Sequence, residues 1–259
     1  MINIHCPKKY FSPLTVAGFL LTTTFPAFGQ ESLITIVQEL MPTIVTIEAQ
    51  NTKKFKSPGV SLARDPKTGR VVAARNLTAA AYQRTGAGVI IASSGLIVTN
   101  AHVVQNADRI QIRLNDQTVV TARPVWMVNN YDVAFLKIDA GYSLPKVSLA
   151  NSDELKLRDE IVTVGNSPLL KETISGGRII GLGVNHQNRE TGEQRTDLIQ
   201  ISINLYKGDS GGPLFNREGQ LVGLMVAGQI KADHSSFAIP VNKIKGYYQD
   251  YLLSLKPKF

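Results

Sequence analysis

The chain has 259 residues, of which 43% are hydrophobic, with a single cysteine and a formal charge of +8. That length and apolar share suffice for one large domain or two small ones with a packed core. Cys6 lies in a segment that reads as a leader, so the mature chain is expected to lack disulfides, a cysteine nucleophile and thiolate metal sites. The basic excess is scattered, with small clusters at Lys53-Lys54-Lys56 and at the C-terminus. None is interleaved with aromatics, so a solvated surface is expected and a nucleic-acid partner is not.

In chain order, Lys8 and Lys9 precede a largely apolar run from Leu14 to Phe25, and Ala27-Phe28-Gly29 has the small-x-small form of a cleavage site. Residues 1–29 read as a secretory signal peptide, with an uncleaved N-terminal anchor as the alternative. Cleavage would start the mature chain at Gln30, in a periplasmic or secreted setting. No later stretch is apolar enough to span a bilayer, so no stable membrane span is expected after cleavage.

Ser32 is placed to cap a short helix with apolar residues at Leu33, Ile36, Val37 and Leu40, ended by Pro42. Short strands then take over: residues 44–47, and 88–92 joined to 96–99 through the Ser93-Ser94-Gly95 turn as a hairpin. Further strands are expected at 110–114, 118–125, 133–138, 160–164, 177–183, 198–201, 213–216, 221–227 and 236–239. Residues 53–85 break this rhythm and read as a long, charged surface insertion, partly helical around Leu77–Tyr82. After Pro240, the apolar spacing of Val241, Ile244, Tyr248, Tyr251, Leu252 and Leu255 predicts an amphipathic helix. Many short strands with little helix between them mean an all-β barrel or sandwich.

The residues with chemistry are few. Gly208-Asp209-Ser210-Gly211-Gly212 can raise a serine on a tight turn with neighbouring N–H groups aimed at one point, although an ordinary Gly-rich turn would read the same. Thr99-Asn100-Ala101-His102 puts a histidine in a corner just past an apolar strand. Tyr131-Asp132-Val133 puts an aspartate at the head of a buried one, where a carboxylate is costly unless hydrogen-bonded. Taken singly, His102 could be a satisfied core histidine and Asp132 a turn residue. Together, in the order His, Asp, Ser, they make a nucleophilic triad of chymotrypsin type. Gly86-Ala87-Gly88 leads into a strand rather than a helix and is no dinucleotide loop, while Asp153-Glu154 and Asp159-Glu160 read as solvated pairs.

These blocks resemble the trypsin-like serine proteases, and within them the HtrA/Deg branch. The resemblance rests on Gly86–Ile91 with Val98–Val104, on Tyr131–Ala134, on Val164–Pro168 with Thr173–Gly176, on the serine block and on Phe237–Pro240. It covers roughly residues 31–255. It implies an all-β fold of two six-stranded β-barrels, about residues 30–147 and 155–240, followed by a C-terminal helix over about 241–255. It implies a catalytic triad of His102, Asp132 and Ser210, an oxyanion hole in the turn Gly208-Asp209-Ser210 served by the amides of Gly208 and Ser210, and no metal or organic cofactor. By offset from the nucleophile, Asn204 falls near the base of the substrate pocket and Lys207 at its rim, with Met225, Val226, Ala227 and Gly228 as one wall. No carboxylate stands at that base, so a neutral P1 residue is expected.

The expected activity is that of an exported serine endopeptidase acting on protein or peptide substrates, unfolded or exposed segments above all. The alternative is a catalytically silent binding or chaperone-like module on the same fold. Three features depart from the HtrA pattern. No PDZ domain is expected after the helix. Residues 30–54 hold no aromatic, which argues against the family's trimer and leaves the oligomer open with a monomer preferred. Asp209 stands where HtrA proteins usually carry Asn, to be satisfied by neighbouring N–H groups or a basic residue. Arg70-Val71 faintly resembles a zymogen cleavage site, but cutting there would sever the first strand from its barrel.

Overall fold

The computed structural model describes residues 30–51, 55–64, 71–79, 82–167, 170–187, 194–206, 208–226 and 236–256; the expected signal peptide lies outside them. Helix α1 (Gln30–Leu40) runs into a 3-10 turn at Met41–Thr43, where Thr43 Oγ1 donates to the Leu40 carbonyl at 2.6 Å. Ser32 lies within α1 rather than capping it.

Two closed six-stranded barrels follow. The first contains β1 (Ile44–Asn51), β4 (Tyr82–Ala92), β5 (Leu96–Thr99), β6 (Arg109–Arg113), β7 (Val119–Val128) and β8 (Val133–Lys137). Its strand order is β1-β4-β5-β8-β7-β6, with β6 returning to β1. The second contains β9 (Glu160–Ser167), β10 (Leu170–Gln187), β11 (Gln194–Ile201), β12 (Pro213–Phe215), β13 (Leu221–Val226) and β14 (Ser236–Pro240), in the order β10-β11-β14-β13-β12-β9. All neighbouring strands are antiparallel, so short turns suffice to join them. Between β1 and β4 lies a separate hairpin of β2 (Phe55–Arg64) and β3 (Val71–Ala79). The helix expected around Leu77–Tyr82 is therefore corrected: 77–79 belong to β3 and Tyr82 opens β4, because pairing with β2 and β1 outweighs local propensity.

The apolar runs are explained by burial on both faces. Strand β5 is buried at all four positions and β13 at all six. On β4 and β5, Ile90 and Ile97 fill the first barrel together with Ile47, Ile112 and Leu136. Their neighbours Val89 and Val98 point the other way, as the period of two requires, into a shared layer with Phe135, Val162, Val164, Phe215 and Leu224. That layer draws on both barrels. Ile161, Ile179, Ile199, Leu214 and Met225 fill the second barrel.

Helix α3 (Val241–Ser254) closes the fold. Val241 and Ile244 are fully buried, and the rings of Tyr248 and Tyr251 lie 6.1 and 6.3 Å from that of Phe135. The expected apolar stripe stops there: Leu252 and Leu255 are exposed, the last turn having run past the barrel surface. The described residues form no helix long and apolar enough to cross a membrane.

Candidate active site

Strand β5 ends at Thr99, and the chain turns at once into helix α2 (Ala101–Val104). Val103 and Val104 anchor this single turn in the first barrel, which leaves His102 facing outward with its side chain 39% exposed. Asn100 is completely buried and donates its Nδ2–H to the Asp132 carbonyl at 3.1 Å. The Ala101 amide donates to the same carbonyl. The histidine corner and the head of β8 are thereby joined through the backbone before any side-chain chemistry is considered.

Asp132 ends a 3-10 turn at Asn129–Tyr131 with φ 58° and ψ 40°. Aspartate is among the few residues that enter this left-handed region readily, and the turn aims its carboxylate back at α2. Asp132 as a whole is 2% exposed. Its Oδ1 accepts the His102 amide at 2.9 Å, and His102 Nδ1 lies 3.0 Å from Oδ1 and 2.7 Å from Oδ2. A carboxylate only accepts, so Nδ1 carries the proton of this contact, and in the neutral ring Nε2 presents its lone pair to the outside. That is the tautomer a general base at Nε2 needs.

The serine turn joins β11 to β12 but is fastened to both barrels. The Ser210 carbonyl accepts the Ala87 amide of β4 at 2.8 Å, while Gly211 N–H donates to Met225 O at 2.9 Å and Met225 N–H to Gly212 O at 2.8 Å. Gly211 has φ +81°, and a side chain there would collide with the Ala87 carbonyl and Thr99 Oγ1. Ser210 itself is 5% exposed. Among the described residues no hydrogen bond links Ser210 Oγ to His102, a contact often long until substrate is bound.

Asp209 is buried, and its Oδ2 accepts the Tyr206 amide at 2.8 Å while its own amide donates to Tyr206 O at 3.0 Å. A neighbouring N–H group therefore satisfies this carboxylate, one of the two partners expected. Its amide is spent on Tyr206, and Gly208 just before it has φ +109°. Of the expected pocket, Asn204 is exposed, and Met225 and Val226 are buried in β13. Lys207, Ala227 and Gly228 lie outside the described residues. A cavity of about 500 Å³ beside Glu160, Arg178 and Arg217 shares no residue with this site.

One contact has no counterpart in the sequence reading. Arg195, on β11 of the second barrel, places its terminal nitrogen 2.9 Å from Asp132 Oδ2. No motif marks it, and it stands far from Asp132 along the chain. The strand expected there begins only at 198, so Arg195 falls outside every predicted element, whereas β11 starts at Gln194.

Residues 86–224 match the trypsin-like peptidase domain. The chain is 31% identical over 225 residues to the periplasmic pH-dependent serine endoprotease DegQ of Escherichia coli (strain K12), an alignment covering 85% of this chain and 48% of DegQ. The HtrA-type protease AlgW, solved with a tripeptide, superposes with a TM-score of 0.66 at 24% identity, over 84% of this chain and 62% of that one. The chain spans between 29% and 52% of the length of the curated relatives it matches.

Proposed function

Because the chain belongs to the trypsin-like peptidase domain family, we propose that it is an exported serine endopeptidase that cleaves protein substrates through Ser210, His102 and Asp132. The observation that carries this reading is the two-point grip of Asp132 on His102, with Nδ1 at 2.7 Å, beside a serine turn docked on β4. Ser210 Oγ attacks the scissile carbonyl as its proton passes to His102 Nε2. The imidazolium is stabilised by the carboxylate of Asp132. The carbonyl oxygen gains negative charge in the tetrahedral intermediate and is held by the amides of Gly208 and Ser210. His102 then protonates the leaving amine, and water enters by the reverse path to release the acyl group from Ser210. Apart from the substrate and this water, each step uses groups of this chain.

The substrate is an extended segment of an unfolded or exposed protein, with a neutral P1 side chain. Among the described residues of the expected pocket, Asn204, Met225 and Val226 bring no carboxylate to pair with Lys or Arg at P1. A leader over residues 1–29 would deliver the enzyme to the periplasm or the exterior, and DegQ, described as periplasmic, supports that placement.

The test is covalent labelling. A fluorophosphonate probe should mark the wild-type protein at Ser210 and leave Ser210→Ala unmarked, with casein hydrolysis lost in parallel. An unlabelled, inactive wild-type protein that nonetheless suppresses client aggregation would replace this reading with that of a catalytically silent, chaperone-like module.

A further inference from the structure

The Asp132 carboxylate is held from two sides. His102 occupies one side, through its amide on Oδ1 and through Nδ1. The Arg195 guanidinium occupies the other, on Oδ2 at 2.9 Å, with the arginine side chain 14% and the aspartate side chain 3% exposed. Because β11 belongs to the second barrel and Asp132 to the first, this ion pair crosses between barrels at the base of the site.

We propose that Arg195 is a positioning residue for the triad, locking the Asp132 carboxylate plane so that Oδ2 stays on His102 Nδ1 through the proton transfers. The proposal rests on the serine endopeptidase reading above and adds a residue to it. Two physical arguments carry it. First, a guanidinium, always protonated, balances a carboxylate buried at this depth whichever state the imidazole is in. Second, Arg195 stands on an anchored strand. Lys243 of α3 donates to the Thr196 carbonyl at 2.8 Å, pairs with Asp197 at 3.2 Å, and places the same nitrogen 5.5 Å from the centre of the Tyr131 ring. Tyr131 directly precedes Asp132, so α3 ties the start of β11 to the turn that carries the carboxylate.

The guanidinium also opposes formation of the imidazolium, because both are positive. A residue acting only through its charge would therefore slow the enzyme, and its removal would speed it up. A residue acting through geometry gives the opposite result.

The experiment compares wild type, Arg195→Met and Arg195→Lys in the full chain. The readouts are steady-state peptide hydrolysis and the downfield proton resonance of His102 Nδ1–H, assigned by its loss in His102→Ala. In Arg195→Met, kcat should fall about tenfold with KM unchanged, within the range that small misplacements of catalytic groups produce. The Nδ1–H resonance should shift or broaden, and Arg195→Lys should recover part of both. A kcat equal to or above wild type in Arg195→Met, with the resonance unmoved, overturns the proposal. Should Arg195→Met fail to fold, Arg195→Lys carries the same comparison, since it keeps the charge but loses the planar fork. If the wild type shows no Ser210-dependent hydrolysis, the peptidase reading falls and the resonance alone decides the role of Arg195.

Discussion

The Ser210 carbonyl oxygen accepts the Ala87 amide at 2.8 Å, so the turn that carries the candidate nucleophile hangs from the barrel that carries His102 and Asp132. Gly86 makes the approach feasible: a Cβ there would stand 2.7 Å from Val103 Cγ1 and 3.1 Å from the Ser210 carbonyl. The position of Ser210 relative to His102 and Asp132 is held by this seam as well as by the turn's own conformation.

Gly211→Ala tests the seam directly. The added methyl meets a backbone carbonyl and a buried hydroxyl, neither of which yields, and the position also has a positive φ. We expect a loss of about 2–4 kcal/mol in denaturant unfolding together with collapse of activity, as for strain at a special backbone position. A protein of wild-type stability and activity would show that the turn relaxes without the seam.

Asp132→Asn keeps the volume of the side chain and removes its charge. The amide can present its NH₂ to Nδ1, which favours the wrong histidine tautomer, and the ion pair to Arg195 is lost. In the chymotrypsin-type triad this substitution lowers kcat by ~10⁴, and a loss of that order is expected here, read from single-substrate kinetics. A loss below about tenfold would remove Asp132 from the triad.

Tyr247 of α3 should set an alkaline limit on stability. Burial, followed by the proximity of Tyr131 and then Asp250, pushes its hydroxyl up to about 12 from the ordinary 10.0. Between those values the unfolded chain has lost the proton that the folded chain keeps. Stability is thus fully present below about pH 10 and declines as pH rises toward 12. Calorimetric melts of Tyr247→Phe should show a shallower fall in Tm across that window than wild type; parallel curves would assign the fall to other groups.

Phe135→Ala should separate packing from chemistry. Phe135 is fully buried three positions after Asp132 and touches Tyr248 and Tyr251 across the helix–barrel contact. Truncation leaves a cavity that the closed barrel cannot collapse around, at a cost of about 3–5 kcal/mol by urea titration. A cost under about 1 kcal/mol would mean that α3 repacks freely.

Legibility in the sequence divided along physical lines. Alternation and turn residues are local signals, so the β4–β5 hairpin and the strands at 133–137, 160–167 and 221–226 stand near where their residues predicted. Strand β10 runs from Leu170 to Gln187, well beyond the expected 177–183, because pairing with β9 and β11 extends it through residues of weak propensity. The hairpin at 55–79 carried charge and proline that masked its pairing partner.

By itself the sequence determined the all-β class and the blocks around His102, Asp132 and Ser210, because each depends on residues adjacent along the chain. Only the tertiary structure decided that Arg195 reaches Asp132. It also decided that Lys243 secures the strand beside it. A charge pair between barrels is set by how two closed sheets pack, and no local pattern of residues encodes that distance.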